Sequence, residues 1–364
     1  MRLVATGSVQ QGEILAKAIY NEKGQVLVNE GVILKDTVLT RLISLGISYI
    51  YIQDGQTEDI SYQHPISEKL RQEAIQTIET TFQQVQSAKA LSHSFVIEKA
   101  AKRLTELIKA ILSEIRGNED LLTLLSDVYT YDNYIFTHSL NVTMYTLAIG
   151  MELNLKPKDL ERLGLGAVLH DVGKMKIPEE ILLKPGRLTE EEFTVVKTHA
   201  EEGFEILRKV QTLPLIIAHC AYQHHERLNG TGYPRGLKCN EIHEYGKIIA
   251  VADVFDAVTS NRVYRQAMLP HEGLEILYSG VGTLFEPKVV EAFRRAVAIY
   301  PIGITVKLSD GKKGVVSRQN IGLSDRPVVR IIEIGDEPVK PFEFDLKSEL
   351  SVVITDCDTT FKNE

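Results

Sequence analysis

Residues 158–173 read KDLERLGLGAVLHDVG, an apolar stretch that ends on an adjacent histidine and aspartate, His170-Asp171. Its apolar residues recur at the spacing of a helix face. Further stretches of helix length with similar periodicity lie on both sides of it, at 133–153, 190–210, 213–228 and 245–264. Together they predict an all-α domain over residues 119–300.

The chain outside this domain has three parts with different patterns. Residues 1–62 alternate short strand-like runs with turns and one helix near 36–45, which predicts a small α+β module of unknown role. Residues 63–118 predict a helical linker. After residue 300, period-2 runs (ITVKL, GVVSR, PVVRIIEI, LSVVI) predict a small C-terminal β extension over 301–364. The predicted fold class is therefore mainly α.

The linker carries a regular apolar stripe. Apolar residues recur there at spacings of 4, 3, 4, 3 and 4, at Ile97, Ala101, Leu104, Ile108, Ile111 and Ile115. Leu107 and Leu112 widen the stripe beyond a narrow seam, which favours packing against the next domain over a free coiled coil. A homodimer through the helices of 67–116 is the alternative expectation.

The composition argues against several classes of protein. The chain has 41 Lys and Arg against 49 Asp and Glu, a net charge of −8, so we expect no nucleic-acid polymer as a partner. It has no run of 18 apolar residues, and the first twenty residues lack a signal-peptide core, so neither a membrane span nor secretion is expected. The three cysteines form no C-x-x-C pair, which fits a reducing, cytoplasmic compartment.

Histidines are concentrated in the predicted helical domain. Six of the ten fall within 88 residues, where an even spread would place about two: His138, His170, His199, His219, His224 and His225. Any one of them could be an ordinary hydrogen-bonded histidine. The set, however, lies in apolar helices together with Asp171 and Asp253, and buried carboxylates are costly unless a positive charge offsets them. Because imidazoles and carboxylates bind first-row transition metals, the cluster predicts a metal site.

The ordered set of these residues resembles a known family. His138, the pair His170-Asp171 in HDVGK, His199, the pair His224-His225 in HHERLNGTGYP, and Asp253 in AVADVFDAVTS are similar to the HD-GYP family of the HD superfamily. The similarity covers roughly residues 119–300. An isolated His-Asp pair or an isolated Gly-Tyr-Pro would be weak evidence for this family. All seven ligand-type residues in order, together with an intact Gly232-Tyr233-Pro234, are highly specific for it.

The resemblance implies a centre with two transition-metal ions. One ion would take His138, His170, Asp171 and Asp253. The second would take Asp171, His199, His224 and His225, so that Asp171 bridges the two. Some family members place a third-metal Glu where this chain has Tyr134, a poor ligand at neutral pH. Five imidazoles with two carboxylates favour iron or manganese over four-coordinate zinc, and the sequence does not choose between iron and manganese.

The resemblance also implies an activity, the hydrolysis of cyclic di-GMP to pGpG, and the sequence does not decide between pGpG and GMP as the final product. Two cations about 3.5–4 Å apart would acidify a bridging water to hydroxide and hold the phosphodiester for in-line attack. In this scheme Asp171 and Lys174 are the catalytic residues, Lys174 acting on phosphate oxygen. Without the motif, Lys174 would be interpreted as a solvated lysine at a helix end.

Three substrate-binding elements follow from the same resemblance. Arg262 and Arg265, three residues apart on one helix face, would hold the substrate phosphates, with surface ion pairs as the alternative. Gly232, Tyr233 and Pro234 would form a loop beside the site. Most relatives have Asp where this chain has Asn229, which removes a charge there. His219 is expected to be structural.

Two other functions remain open at this stage. The substrate could be another cyclic dinucleotide such as cyclic GMP-AMP, because base selectivity depends on pocket side chains that the motifs do not identify. Alternatively, the chain could be a non-catalytic receptor for cyclic di-GMP. The complete ligand set and Lys174 argue against the receptor.

Overall fold

Helices account for about half of the computed structural model, which describes residues 1–20, 26–60, 65–88, 93–117, 134–184, 186–260, 268–335 and 337–359. Its helices are α1 Asp36–Ser44, α2 Glu68–Ser87, α3 His93–Gly117, α4 Tyr134–Glu152, α5 Pro157–Leu169, α6 Glu179–Leu182, α7 Glu190–Lys197, α8 His199–Leu207, α9 Leu215–Gln223, α10 Glu244–Thr259, α11 Pro270–Ser279 and α12 Pro287–Ala296. Its strands are β1 Arg2–Ala5, β2 Ile19–Tyr20, β3 Val26–Val28, β4 Tyr49–Ile52, β5 Thr305–Leu308, β6 Lys312–Arg318, β7 Val328–Ile334, β8 Glu337–Asp345 and β9 Ile354–Asp358. The mainly α fold class is confirmed.

The helical domain is built around α4 and α10, which pack against each other. Both are apolar on almost every side, and a helix with that composition is stable only in an interior. One apolar cluster joins α4 to α2, α3 and α5. A second joins α4 and α10 to α11 and α12, and in it Tyr145 meets Phe255 edge to face while Phe255 contacts Phe293 at a tilt. Polar residues on α4 and α10 therefore lie at the centre of the domain.

The linker helices pack on this domain. Ile97, Leu104 and Ile108 of α3 are buried in the same cluster as Leu140 and Leu165 of the helical domain. Contacts of α3 with α5 and α8, and of α2 with α4, complete the interface. Packing against the next domain, which the width of the stripe predicts, is confirmed. The predicted boundary between the linker and the helical domain, near residue 118, falls among residues 118–133, which are outside the described residues.

The C-terminal β extension is a five-stranded antiparallel sheet in the order β8-β7-β6-β5-β9. Strands β5, β6 and β7 lie where the period-2 runs predict them. The strand predicted at 350–354 is wrong, since β9 begins only at Ile354. Strand β8, EPVKPFEFD, was not predicted because its prolines and charges argue against a strand interior; it is an edge strand, where both are tolerated.

The two ends of the chain share a core. Strand β1 pairs with β4, and Leu3 donates a backbone hydrogen bond to the Gly303 carbonyl (2.8 Å). Leu3 and Tyr51 are buried with Ile304 and Val306 of the sheet. Leu269, which precedes α11, belongs to the same cluster. The β1–β4 pair and the C-terminal sheet therefore contact the helical domain at the start of α11.

Within the described ranges, no helix is both long enough and apolar enough to cross a membrane.

Candidate metal centre

The expected metal-ligating residues come from five helices. His138 lies in α4 and Asp253 in α10, at the middle of the domain. The others lie at helix ends: His170-Asp171 at the end of α5, His199 at the start of α8, and His224-His225 at the end of α9. The structure brings all seven together, and all except the half-buried His225 are at least nine-tenths buried.

Three of the imidazoles are oriented by the backbone of their own helices. Nδ1 of His170, His199 and His224 lies 2.6, 2.7 and 2.9 Å from the carbonyl oxygen three residues earlier, at Ala167, Val196 and Ala221. A carbonyl can only accept, so each Nδ1 carries the proton and each Nε2 presents a lone pair. We refer to His170, His199 and His224 as the carbonyl-anchored histidines.

His138 is oriented differently, by a side chain. Its Nδ1 donates to the Asp256 carboxylate (2.7 Å), which also accepts hydrogen bonds from Asn141 (2.9 Å) and Ser260 (3.0 Å). We refer to His138 as the carboxylate-anchored histidine. The sequence interpretation missed Asp256, although it lies three residues after Asp253 and therefore on the same helix face.

The ligand atoms form two groups that meet at Asp171. Donor atoms of His138, His170 and Asp171 lie within 4.8 Å of one another, as do those of His199, His224 and His225. Asp171 Oδ2 is 3.5 Å from His138 Nε2 and 3.3 Å from His170 Nε2. Its Oδ1 is 3.4 Å from His199 Nε2 and 3.8 Å from His224 Nε2. One carboxylate thus faces both groups with different oxygens.

Asp253 lies between the same groups. One of its oxygens is 3.1 Å from His138 Nε2, and the other is 3.6 Å from His225 Nδ1. The resemblance implies Asp253 for the first ion only. The described contacts place it against one histidine from each group.

The electrostatics of the two groups differ. Burial lowers the pKa of His199 to about 4 and that of His224 well below its ordinary value. Burial acts in the same direction on His138, but hydrogen bonds with Asp253 and Asp256 outweigh it and raise the pKa to about 9. Burial would raise the pKa of Asp171, yet its interactions with His170 and the Lys174 ammonium hold it well below its usual range.

The donors fit divalent metal ions. His199 and His224 are neutral near pH 7, and their Nε2 lone pairs face each other at 3.3 Å, an arrangement that is repulsive without a cation. Nε2 of His170 and Oδ1 of Asp171 are buried and lack a hydrogen-bond partner among the described residues. Buried polar atoms are normally satisfied, so converging lone pairs of this kind indicate metal ligands.

Lys174 lies against the proposed bridge. It belongs to the 3₁₀ turn Val172–Lys176, and its Nζ donates to Asp171 Oδ2 at 2.5 Å. Its side chain is 15% exposed, so the ammonium lies at the boundary between the buried carboxylates and solvent. The helix-end interpretation, a solvated lysine, does not describe this position.

Gly173 permits the closest backbone approach in the centre. A Cβ at this position would lie 2.0 Å from the His199 carbonyl oxygen and 2.5 Å from the Gly203 nitrogen. Only a glycine allows the turn after Asp171 to lie directly on the start of α8. The separation of Asp171 from His199 is therefore set by contact between two backbones.

The Gly-Tyr-Pro motif closes one side of the centre. The Tyr233 ring lies 4.6 Å from the His225 ring, and the Tyr233–Pro234 peptide is cis. A Cβ on Gly232 would lie 2.5 Å from the backbone around His225. The buried Glu226 carboxylate accepts hydrogen bonds from the backbone of Arg235 (2.8 Å) and Leu237 (2.9 Å). The sequence interpretation missed this anchor, which has no motif beyond its place after His225.

The remaining predicted residues lie elsewhere. Arg262 and Arg265 are outside the described residues, as is the side chain of Tyr134. His219 lies on α9 with its ring 5.3 Å from that of Phe204, away from the ligand atoms.

One family model and several known proteins are similar to this chain. The model of the HD domain family matches residues 98–289. A cyclic di-GMP phosphodiesterase of Pseudomonas aeruginosa is 36% identical over 216 residues, 59% of this chain and 52% of the relative. One of Thermotoga maritima is 38% identical over 200 residues, 55% and 53% of the two chains. A 3'3'-cGAMP-specific phosphodiesterase of Vibrio cholerae is 38% identical over 168 residues, 46% and 36%.

A solved structure of an HDG"Y"P protein from Bdellovibrio bacteriovorus is similar over 80% of this chain and 97% of its own, with 17% identity and a TM-score of 0.47. The chain spans about half the length of the curated relatives it matches. The matched segment contains the seven converging residues and the intact Gly232-Tyr233-Pro234 motif. The chain therefore belongs to the HD domain family and is of its HD-GYP type.

Proposed function

We propose that this protein is a metal-dependent phosphodiesterase that hydrolyses cyclic di-GMP to pGpG. The observation that carries the proposal is the position of Asp171, whose two oxygens face two separate groups of imidazoles. Two relatives named as cyclic di-GMP phosphodiesterases support the choice of substrate.

In this proposal the two groups hold two ions. His138, His170, Asp171 and Asp253 would hold one, and Asp171, His199, His224 and His225 the other. When bound, the ions supply Lewis acidity toward the phosphodiester and an activated water. The number of donors exceeds that of a tetrahedral zinc site, which favours iron or manganese.

The chain's own residues prepare the site for a phosphodiester. Anchored Nδ1 atoms fix the ring orientation of four histidines, so little reorganisation is needed when ligands bind. Burial keeps His199 and His224 neutral, with their Nε2 lone pairs available. Lys174 places an ammonium beside Asp171 at the solvent boundary, where it would stabilise negative charge that develops on the phosphate oxygens. Arg262 and Arg265 stay predictions as phosphate-binding residues.

The test is turnover by protein reconstituted separately with iron, manganese or zinc under reducing conditions. Metal content is measured by mass spectrometry and products are separated by chromatography. We expect about two ions per chain, release of pGpG, and lower activity with zinc. Iron-loaded protein should also change in activity after exposure to air. Tight binding of cyclic di-GMP without turnover under any of these conditions would favour the receptor instead.

A second substrate is tested in parallel, because a relative that is 38% identical is named as specific for 3'3'-cGAMP. Equal amounts of cyclic di-GMP and 3'3'-cGAMP are supplied together and the two products are quantified. We expect faster consumption of cyclic di-GMP. The reverse order would assign the chain to the other cyclic dinucleotide without changing the chemistry.

A further inference from the structure

An exposed aromatic ring lies next to the candidate metal centre and has no part in the roles assigned above. Phe193 is on α7 and 43% of it is exposed. The helix begins with a capping box between Thr189 and Glu192 and ends at Lys197, two residues before His199. The position of Phe193 is therefore fixed by the same local structure that positions a proposed ligand.

Ring contacts connect Phe193 to the centre. Its ring meets that of Tyr233 edge to face, with centroids 6.5 Å apart and an interplanar angle of 83°. Tyr233 in turn contacts His225 at 4.6 Å and His199 at 6.4 Å. Phe193 is the outer member of an aromatic series that runs from the ligands to solvent.

A cation accompanies the exposed ring. The Nζ atom of Lys197, one helical turn along, lies 5.1 Å from the Phe193 ring centroid. A cation at this distance is attracted to the face of the ring and helps to hold its orientation. It also adds positive charge beside a site proposed to receive a phosphodiester.

A single exposed phenylalanine would need no explanation on an ordinary surface. Here the ring combines exposure, a fixed orientation and a position two ring contacts from a phosphodiester site. A nucleotide base has a π face that stacks on aromatic side chains, and such stacking contributes substantially to binding.

We propose that Phe193 is the stacking platform for one guanine base of the cyclic dinucleotide, with Lys197 holding the ring in place. The inference rests on the proposed function, because it assumes that the phosphodiester next to this base is the one bound at the metal centre. It assigns base binding to α7, which contributes no metal ligand.

The chain has no tryptophan, so one can be introduced as a local probe. In Phe193→Trp, combined with Lys174→Ala to slow turnover, saturating cyclic di-GMP should quench the indole fluorescence. The matched control is Phe95→Trp in the same background, at a 68% exposed position on α3. No ligand-dependent change is expected there. Equal signals from both variants, or none from Phe193→Trp while the ligand still binds, would overturn the inference.

Kinetics of single variants separate stacking from packing. Phe193→Ala should raise KM for cyclic di-GMP about tenfold, leave metal content unchanged, and leave inhibition by inorganic phosphate, which has no base, unchanged. Phe193→Tyr should restore KM and Phe193→Leu should not. Rescue by leucine, or a parallel loss of metal, would mean that the ring only packs on Tyr233.

The outcomes also distinguish the inference from the function on which it rests. Normal hydrolysis of cyclic di-GMP by Phe193→Ala would overturn the stacking role and leave the phosphodiesterase intact. If cyclic di-GMP specifically quenches Phe193→Trp but the unaltered protein never hydrolyses it, the stacking role is supported and the phosphodiesterase activity is overturned.

Discussion

The two groups of imidazoles in the metal centre are held differently: the group of His199 and His224 has only carbonyl-anchored members among its anchored rings, whereas the other pairs the carbonyl-anchored His170 with His138. The carbonyl-anchored histidines depend on helix backbone, whereas the carboxylate-anchored histidine depends on Asp256. A backbone anchor is neutral and cannot be removed by substituting the residue that supplies it. A carboxylate anchor carries charge, so it changes both the orientation and the proton affinity of its histidine. The group of His199 and His224 is therefore expected to be robust and insensitive to pH, and the group that contains His138 adjustable.

The largest effect should come from the residue that both sides share. Asp171→Ala removes the carboxylate that faces the two groups, so hydrolysis should fall by about 10³-fold or more and both ions should bind weakly. Metal analysis and a hydrolysis assay measure this, with circular dichroism to check the helices. Asp159→Ala, at a carboxylate of α5 remote from the ligands, serves as the control. Near-normal turnover by Asp171→Ala would remove the basis for treating the two sides as one centre.

Lys174→Ala should have the next largest effect. Loss of the ammonium should lower kcat about 10²-fold while both ions are retained, because Lys174 is proposed to act on developing charge and not on metal. Lys174→Arg should recover part of the rate. The measurement is kcat together with metal content for each variant. If metal content falls in step with kcat, Lys174 acts by holding Asp171 and the proposed role is wrong.

Asp256→Asn tests the comparison directly. The amide cannot carry the negative charge that accepts from His138 Nδ1, so affinity for one ion should fall about 10- to 100-fold while the other is retained. Titration with limiting metal should then show two unequal sites. Ser260→Ala, which removes a partner of Asp256 but not its carboxylate, should stay close to the unaltered protein. Equal weakening of both ions would show that the sides are not independent.

The pH dependence of metal binding should also differ between the two groups. In the metal-free protein His138 is protonated below its pKa of about 9, so an ion that uses this histidine must displace one proton at pH 7. Its affinity should rise about tenfold per pH unit from 7 toward 9. His199, with a pKa of about 4, is already neutral, so the affinity of the ion that uses this histidine should not change with pH between 7 and 9. Calorimetry in buffers of different ionisation enthalpy counts the released protons. Equal release from both sites would contradict the assignment.

The sequence predicts this fold well where periodicity and chemistry agree. Long apolar stretches around the histidines predict the central helices because buried helices need apolar residues on most faces. The strands at the chain ends were less predictable. β8 lies at a sheet edge, where prolines and charges carry no penalty, and its pairing with β7 depends on contacts distant in sequence.

The residues of the site likewise divide into those that the sequence identifies and those that it does not. The ligand-type residues were identifiable because histidine and aspartate are conspicuous in apolar helices. The groups that position them were not, because three of the anchors are backbone carbonyls, which every residue has. Asp256 was the exception, since its spacing of three from Asp253 could have identified it. Phe193 was not predicted because its role depends on a contact with Tyr233, forty residues away.

Gly173 has a consequence for redesign of the centre. Because the turn after Asp171 and the start of α8 touch through their backbones, the space between Asp171 and His199 cannot be enlarged by exchanging ligands. A cation with a larger ionic radius would require the two main-chain segments to move apart. Engineering this protein for a different metal should therefore begin with the backbone at Gly173 and Gly203, and only afterwards change the coordinating side chains.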